Sequence, residues 1–192
     1  MKHIRDKWNL RYAAVHVPNK VIDVLELNQH LLPEGGKSLD LACGLGGNAL
    51  RMAELGFTSY AWDISDSAIN KVREFAQERQ LELLAQQVDI SQLQQQQEMI
   101  RHGFDVVIIS RFLLRDIVAQ LITALNPGGL IFYQTFVNTQ NDGPKNPDFR
   151  LASNELLQLF SALTIRFYRE DGVLGDMTRG IRNEAMLVAQ KI

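Results

Sequence analysis

Leu39-Asp40-Leu41-Ala42-Cys43-Gly44-Leu45-Gly46-Gly47-Asn48 is the stretch that decides how this chain is read. An apolar run over 37–42 gives way to closely spaced glycines and then to a helical pattern over 47–55. That order describes a strand, a tight turn and the start of a helix. Glycine in such a turn takes positive φ without penalty and lets the backbone pass close to a ligand. In open α/β sheets the carboxyl ends of the strands are where ligands bind. Gly44-Leu45-Gly46-Gly47-Asn48-Ala49 also satisfies the G-x-G-x-x-G/A dinucleotide pattern, a weak signal when it stands alone.

Outward from the turn, strand-like and helical stretches alternate. Strand-like runs fall at 37–42, 59–64, 83–90, 104–110 and 130–137, with two more at 163–168 and 184–189. Helical patterns fall at about 19–31, 47–55, 66–79, 92–102, 112–125 and 153–161. Ser65 or Asp66 is a plausible cap for one helix and Ser153 for another. The Asn126-Pro127-Gly128-Gly129 turn stops the helix at 112–125 and delivers the chain into a strand. Repeated strand–helix units imply an α/β, doubly wound, seven-stranded and mostly parallel sheet. The last two runs are joined too closely for a crossover helix, so they form a hairpin and leave one antiparallel strand near the edge. The expectation is a single domain over 1–192, with an N-terminal helical arm at 1–32 and a Rossmann-like core at 36–192. The glycine- and proline-bearing stretch 138–148 reads as a long loop, a common place for function.

Composition narrows the classes. With 192 residues, 46% of them hydrophobic and 22% charged, the chain can bury a core of its own. The net charge of -2 argues against nucleic acid as a partner. Lys2, Arg5, Lys7, Arg11 and Lys20 face Asp6 alone, so the first twenty residues are basic and the remainder acidic. Such an arm suits an anionic ligand or an acidic face of its own domain. The lone Cys43 excludes an internal disulfide framework and a multi-cysteine zinc site, and no metal is expected. No apolar run suggests a signal peptide or a membrane span, so a cytoplasmic protein is expected, monomeric or homodimeric.

Three acids decide between cofactors. Asp40 precedes the turn, Asp63 ends the second strand and Asp89 ends the third. A pyrophosphate favours helix amides and disfavours a nearby carboxylate. S-adenosylmethionine instead offers an ammonium, a sulfonium, two ribose hydroxyls and an adenine amine, all of which suit carboxylates. Asp63 fits either cofactor, because an acid some way beyond the glycines binds ribose hydroxyls in both. Asp40 and Asp89 favour S-adenosylmethionine.

The stretch 40–46 resembles motif I of class I S-adenosylmethionine-dependent methyltransferases. Trp62-Asp63 and Val88-Asp89-Ile90 resemble the second and third cofactor motifs, and 104–110 followed by Leu125-Asn126-Pro127-Gly128-Gly129-Leu130 resembles the fourth strand and its turn. Trp8-Asn9-Leu10-Arg11-Tyr12, Pro144-Lys145-Asn146-Pro147-Asp148-Phe149 and Leu156-Leu157-Gln158-Leu159-Phe160 are similar to the small bacterial tellurite-resistance type. The resemblance implies that Asp40, Gly44 and Gly46 line the methionine end of the cofactor, with Ala42, Asn48 and Ile64 also in the cofactor-binding set. It implies that Asp63 binds the ribose hydroxyls, that Asp89 and Ile90 lie at the adenine, and that Ser110 and Arg111 sit near the transferred methyl. Arg11 and Tyr12 belong, on the same resemblance, to a helix that closes over the cleft. One departure is that the type usually closes with an arginine in the last strand, whereas here the run is Asn183-Glu184-Ala185-Met186-Leu187.

Methyl transfer from a sulfonium is an in-line displacement, so the protein supplies orientation and sometimes a base. Candidate catalytic residues are Arg111 and Arg115 after the fourth strand, and His16 in the N-terminal arm. Arginine's fork suits carboxylates and oxyanions. Cys43 has no neighbouring base in sequence and reads as a packing residue. After Ile109 there is no Asn/Asp-Pro-Pro-Tyr/Phe, the signature of enzymes that methylate planar amino groups. The expected activity is methyl transfer to a small, anionic or soft-nucleophile acceptor, releasing S-adenosylhomocysteine. The rivals are an NAD(P)-dependent oxidoreductase, on 44–49 and Asp63, and a non-catalytic S-adenosylmethionine-binding module.

Overall fold

The computed structural model describes residues 2–138 and 143–192. The expected loop at 138–148 is thus seen only in part, since 139–142 lie outside the described residues. In chain order the elements are α1 (Lys2–Ala13), α2 (Asp23–Leu27), β1 (Lys37–Leu41), α3 (Gly47–Glu54), β2 (Thr58–Asp63), α4 (Asp66–Glu78) and β3 (Leu83–Gln87). They continue with α5 (Leu93–His102), β4 (Phe104–Ser110), α6 (Val118–Ala124), β5 (Leu125–Phe136), α7 (Glu155–Leu159), β6 (Thr164–Arg169) and β7 (Glu184–Gln190). All seven strands form one sheet in the order β3-β2-β1-β4-β5-β7-β6. The first five are mutually parallel, and β7 runs antiparallel to both of its neighbours, one place in from the edge.

Both faces of the sheet are covered, as the near-continuous apolar central strands require. Leu39, Leu41, Trp62, Val107, Ile109, Ile131, Tyr133 and Leu187 pack on the side of α5, α6 and α7. Val106, Ile108, Phe132, Met186 and Val188 pack on the other side, against Val24 and Leu25 of α2 and Met52 of α3. Ser65 caps α4, its hydroxyl oxygen accepting the Ala68 N–H at 3.1 Å. Among the described residues no helix is long and apolar enough to cross a membrane.

The helices depart from the sequence expectation where tertiary partners compete for the backbone. The helix expected at 19–31 is only α2 and a short 3-10 turn at Gln29–Leu31. Here the N–H of Ile22 goes to Asn48 Oδ1 and that of Val24 to Gln134 Oε1, both at 2.9 Å. The helix expected at 112–125 begins only with a 3-10 turn at Arg115–Ile117, because the Phe112 carbonyl accepts the Tyr133 hydroxyl at 2.8 Å. At α7 the cap position is Asn154, in the left-handed region at φ 60, in place of Ser153. Glu170 accepts both the Ser153 hydroxyl and the Asn154 N–H at 3.0 Å. β3 stops at Gln87, so Asp89 lies two residues past the strand.

Candidate active site

The parallel strands bring the carboxyl ends of β1, β2, β3 and β4 to one edge, and the sequence-predicted residues gather there. Ala42, Gly44 and Gly46 take positive φ of 55, 54 and 73, which turns the chain sharply between β1 and α3. The Gly46 N–H closes the turn on the Cys43 carbonyl at 2.9 Å. Cys43 is buried beside Ala49, Ala61 and Val72, and burial pushes its thiol up, so it packs as a small apolar group.

The two buried acids beside the glycine turn do different things. Asp40, 1% exposed, accepts the Ala49 N–H at 3.2 Å and the Asn48 side-chain amide at 3.3 Å. It thereby satisfies an orphan donor in the first turn of α3 and fastens that helix to β1. Burial pushes its carboxyl up to about 7, against the hydrogen bonds from Asn48 and Ala49. Asp63 lies at the rim, accepting the Gly44 N–H and the Ser65 N–H, each at 2.9 Å. Burial raises its pKa too, opposed by those backbone donors. Carboxylate oxygens accept more than one hydrogen bond each, so Asp63 keeps acceptor capacity beyond Gly44 and Ser65. Ile64 is half-buried beside it, and its carbonyl accepts from the Gln87 side-chain amide at 3.2 Å.

Asp89 is half-buried in the turn after β3, where its Oδ1 accepts the Ser91 N–H and hydroxyl. Ile90, 8% exposed, packs beneath it in the main core. Ser110 ends β4 opposite Gln134 of β5.

The N-terminal arm closes this edge from above. Asn9 of α1 accepts the Ser65 hydroxyl at 2.6 Å and donates to Asp66 at 2.7 Å. Tyr12 comes down on the glycine turn: a Cβ on Gly44 would meet its hydroxyl oxygen at 2.9 Å. Burial, with Asp63 second, raises the Tyr12 pKa. Tyr12 stacks on Trp8 with centroids 5.6 Å apart, and the exposed Arg11 lies over the Trp8 ring. Residues 14–22 then run across the turn as a strap. Asn19 accepts the Leu45 N–H at 3.3 Å, and its carbonyl sits 2.0 Å from where a Gly47 Cβ would be. His16 is exposed on this strap.

Two arginines after β4 have different surroundings. Arg115 is occupied: it donates to Glu155 through Nε at 2.5 Å and Nη2 at 2.9 Å, to the Asp148 carbonyl at 2.7 Å and to the Arg150 carbonyl at 2.9 Å. It ties the end of the long loop to α7. Arg111 takes φ 52 and donates its Nε to Glu184 at 2.6 Å, the one side-chain hydrogen bond it makes among the described residues; its side chain is 57% exposed.

Two residues of this edge were missed by sequence reasoning. Gln134 follows the apolar run 130–133 and Glu184 precedes the apolar run 185–189, and polarity beside those runs was their only signal. Asn19 was missed as well, because nothing local marks a strap.

The residues fit a cationic, hydroxyl-bearing cofactor. A carboxylate lies on the turn, the turn is built from glycines whose Cβ atoms would clash, and the donors around Asp63 are backbone amides of the turn and of the start of α4.

Comparison with known proteins agrees. A family model described as "Tellurite resistance protein TehB" matches residues 3–186. No curated protein matches the chain. Among solved structures, TehB from Haemophilus influenzae is 21% identical with a TM-score of 0.69, over 98% of this chain and 67% of that one. The magnesium protoporphyrin IX methyltransferase of Synechocystis, solved with bound S-adenosylhomocysteine, is 16% identical with a TM-score of 0.67, over 100% of this chain and 99% of that one. The [4+2]-cyclase SpnF is 18% identical with a TM-score of 0.70, over 98% of this chain and 94% of that one. At these identities the structural likeness establishes the fold.

Proposed function

This chain belongs to the TehB family of S-adenosylmethionine-dependent methyltransferases, and from that premise we propose that it methylates a small anionic acceptor held by Arg111. When bound, S-adenosylmethionine supplies a methyl on an electrophilic sulfonium and leaves as S-adenosylhomocysteine. Asp63 would hold the ribose hydroxyls, Asp89 and Ile90 would receive the adenine, and Gly44 and Gly46 would let the backbone approach the methionine end. Asp40 and Asn48 act one layer below, keeping the turn and α3 in place. Tyr12 and the strap exclude water from above, which strengthens every charge interaction beneath them.

The observation that carries the acceptor class is Arg111: a guanidinium at the end of β4, exposed, with Nε held and both Nη groups without a hydrogen-bond partner among the described residues. That fork matches a carboxylate or an oxyanion. An acceptor already deprotonated at neutral pH needs no general base, and then orientation is the protein's main contribution. Arg115 contributes by shaping the loop that borders this end, and His16 is exposed on the strap that crosses the glycine turn.

The test is S-adenosylhomocysteine formation with thiol, selenite, tellurite, carboxylate and amine acceptors offered separately. Turnover with an anionic acceptor, saturable and competed by other anions, is the expected result. Turnover confined to neutral amines would remove the acceptor class. Cofactor binding without turnover on any acceptor would favour a non-catalytic binding module, and the likeness to a cyclase shows that this fold is not confined to methyl transfer.

A further inference from the structure

Glu184 is the first residue of β7 and is 6% exposed, an unusual place for a carboxylate, next to five buried apolar residues at 185–189. Its two oxygens are divided between two partners. Oε1 accepts Arg111 Nε at 2.6 Å, and Oε2 accepts Gln134 Nε2 at 2.5 Å. Gln134, fully buried in β5, is itself fixed: its Oε1 accepts the Val24 N–H at 2.9 Å, and its Nε2 also lies 3.3 Å from Asp23 Oδ2. The Arg111 backbone is anchored to the same residue, its N–H donating to the Gln134 carbonyl at 2.8 Å.

Burying a carboxylate against a half-exposed arginine is a poor route to stability, since desolvation offsets much of the attraction. A bond made through Nε alone nevertheless has a directional consequence. The guanidinium is planar, so a partner on Nε fixes the direction in which the two Nη groups point. A fork held in advance binds an anion without first losing its side-chain freedom.

We propose that Glu184 is a positioning residue of the acceptor site: it grips Arg111 by Nε and, backed by Gln134, presents the Nη pair as a fixed fork for one oxyanion or carboxylate. This rests on the anionic-acceptor reading above. Glu184 itself touches no acceptor. It acts through Arg111.

The test uses 15N-labelled full-length protein saturated with S-adenosylhomocysteine. The Arg111 Nε–H signal, assigned by its loss in Arg111→Lys, is followed while selenite, tellurite and acetate are titrated separately. In the wild type the signal is protected from exchange and moves with at least one anion. In Glu184→Gln protection is lost and the anion midpoint rises about tenfold or more, the scale expected for losing a charge-assisted hydrogen bond. Glu184→Asp, which keeps the charge but withdraws it from Nε, falls between the two. S-adenosylhomocysteine affinity stays within about twofold in both variants, which separates positioning from a general loss of structure. An unchanged midpoint in Glu184→Gln overturns the proposal and leaves the anionic-acceptor reading standing. A wild-type signal that no anion moves, with S-adenosylhomocysteine bound, overturns both. Should Glu184→Gln fail to fold, Glu184→Asp decides alone, and an unchanged midpoint there sinks the proposal.

Discussion

The Asp63 carboxylate accepts the Gly44 N–H at 2.9 Å, tying the end of β2 to the glycine turn that follows β1. Through this contact the acid and the turn form one rigid surface, and the same carboxylate continues to Ser65 at the start of α4. Three successive elements therefore meet at one side chain.

Gly47→Ala should loosen the strap. The added Cβ would lie 2.0 Å from the Asn19 carbonyl oxygen, a backbone atom that cannot rotate away. Gly44→Ala meets only side-chain atoms of Asn19 and Tyr12, at 2.9 Å, but places alanine at φ +54. Both are expected to lower stability by about 1–3 kcal/mol. Limited proteolysis distinguishes them: Gly47→Ala should be cut faster within 14–22, with the core fragment surviving.

Stability should fall as pH rises through the range set by Asp40. Its pKa is 3.8 when unfolded and about 7 when folded, so between these values the folded state binds more protons. The stabilising contribution is complete below about 3.8 and is lost as pH rises through about 7. Burial shifts Asp63 in the same direction. Thermal unfolding from pH 4 to 8 in one ionic strength checks this. Asp40→Asn should flatten the profile by an amount on the order of a few kcal/mol. A wild-type curve that rises across this window would contradict it.

Arg115→Met should cost stability and spare cofactor binding. It removes four hydrogen bonds and leaves Glu155, whose carboxyl Arg115 holds below its ordinary range, without its cation. The expected loss is about 1–3 kcal/mol by denaturant unfolding. S-adenosylhomocysteine affinity should be unchanged within about twofold.

Arg111→Ala should abolish turnover while leaving cofactor affinity within about threefold, which is under 1 kcal/mol. Initial rates and calorimetry on the same preparation check it. Normal turnover would remove Arg111 from the site.

The alternation of strands and helices and the placement of the acids could be read from the sequence because both follow from local pattern, whereas the order of the strands in the sheet comes from the fold. Apolar runs of strand length alternate with helical periodicity, and Asp40, Asp63 and Asp89 sit at or just past strand ends. What could not be read depends on partners distant in the chain. Nothing near Ile22 and Val24 announces that Asn48 and Gln134 will take their N–H groups and shorten the helix. Nor does the sequence around Ser153 reveal Glu170, which captures the Asn154 N–H and moves the start of α7. Arg111 and Arg115 look equivalent as letters, and only the fold separates the occupied one from the exposed one. Glu184 was visible only as an acid at the head of an apolar run, and its partner Arg111 lies 73 residues away.

The most direct test of the central claim is calorimetry of the wild type and Asp63→Ala against S-adenosylhomocysteine, with NADH and NADPH titrated in parallel. S-adenosylhomocysteine should bind on the order of micromolar, about tenfold or more weaker in Asp63→Ala, with no heat from either nicotinamide cofactor. Binding of NADH or NADPH in place of S-adenosylhomocysteine would contradict it and return Gly44-Leu45-Gly46-Gly47-Asn48-Ala49 to a dinucleotide fingerprint.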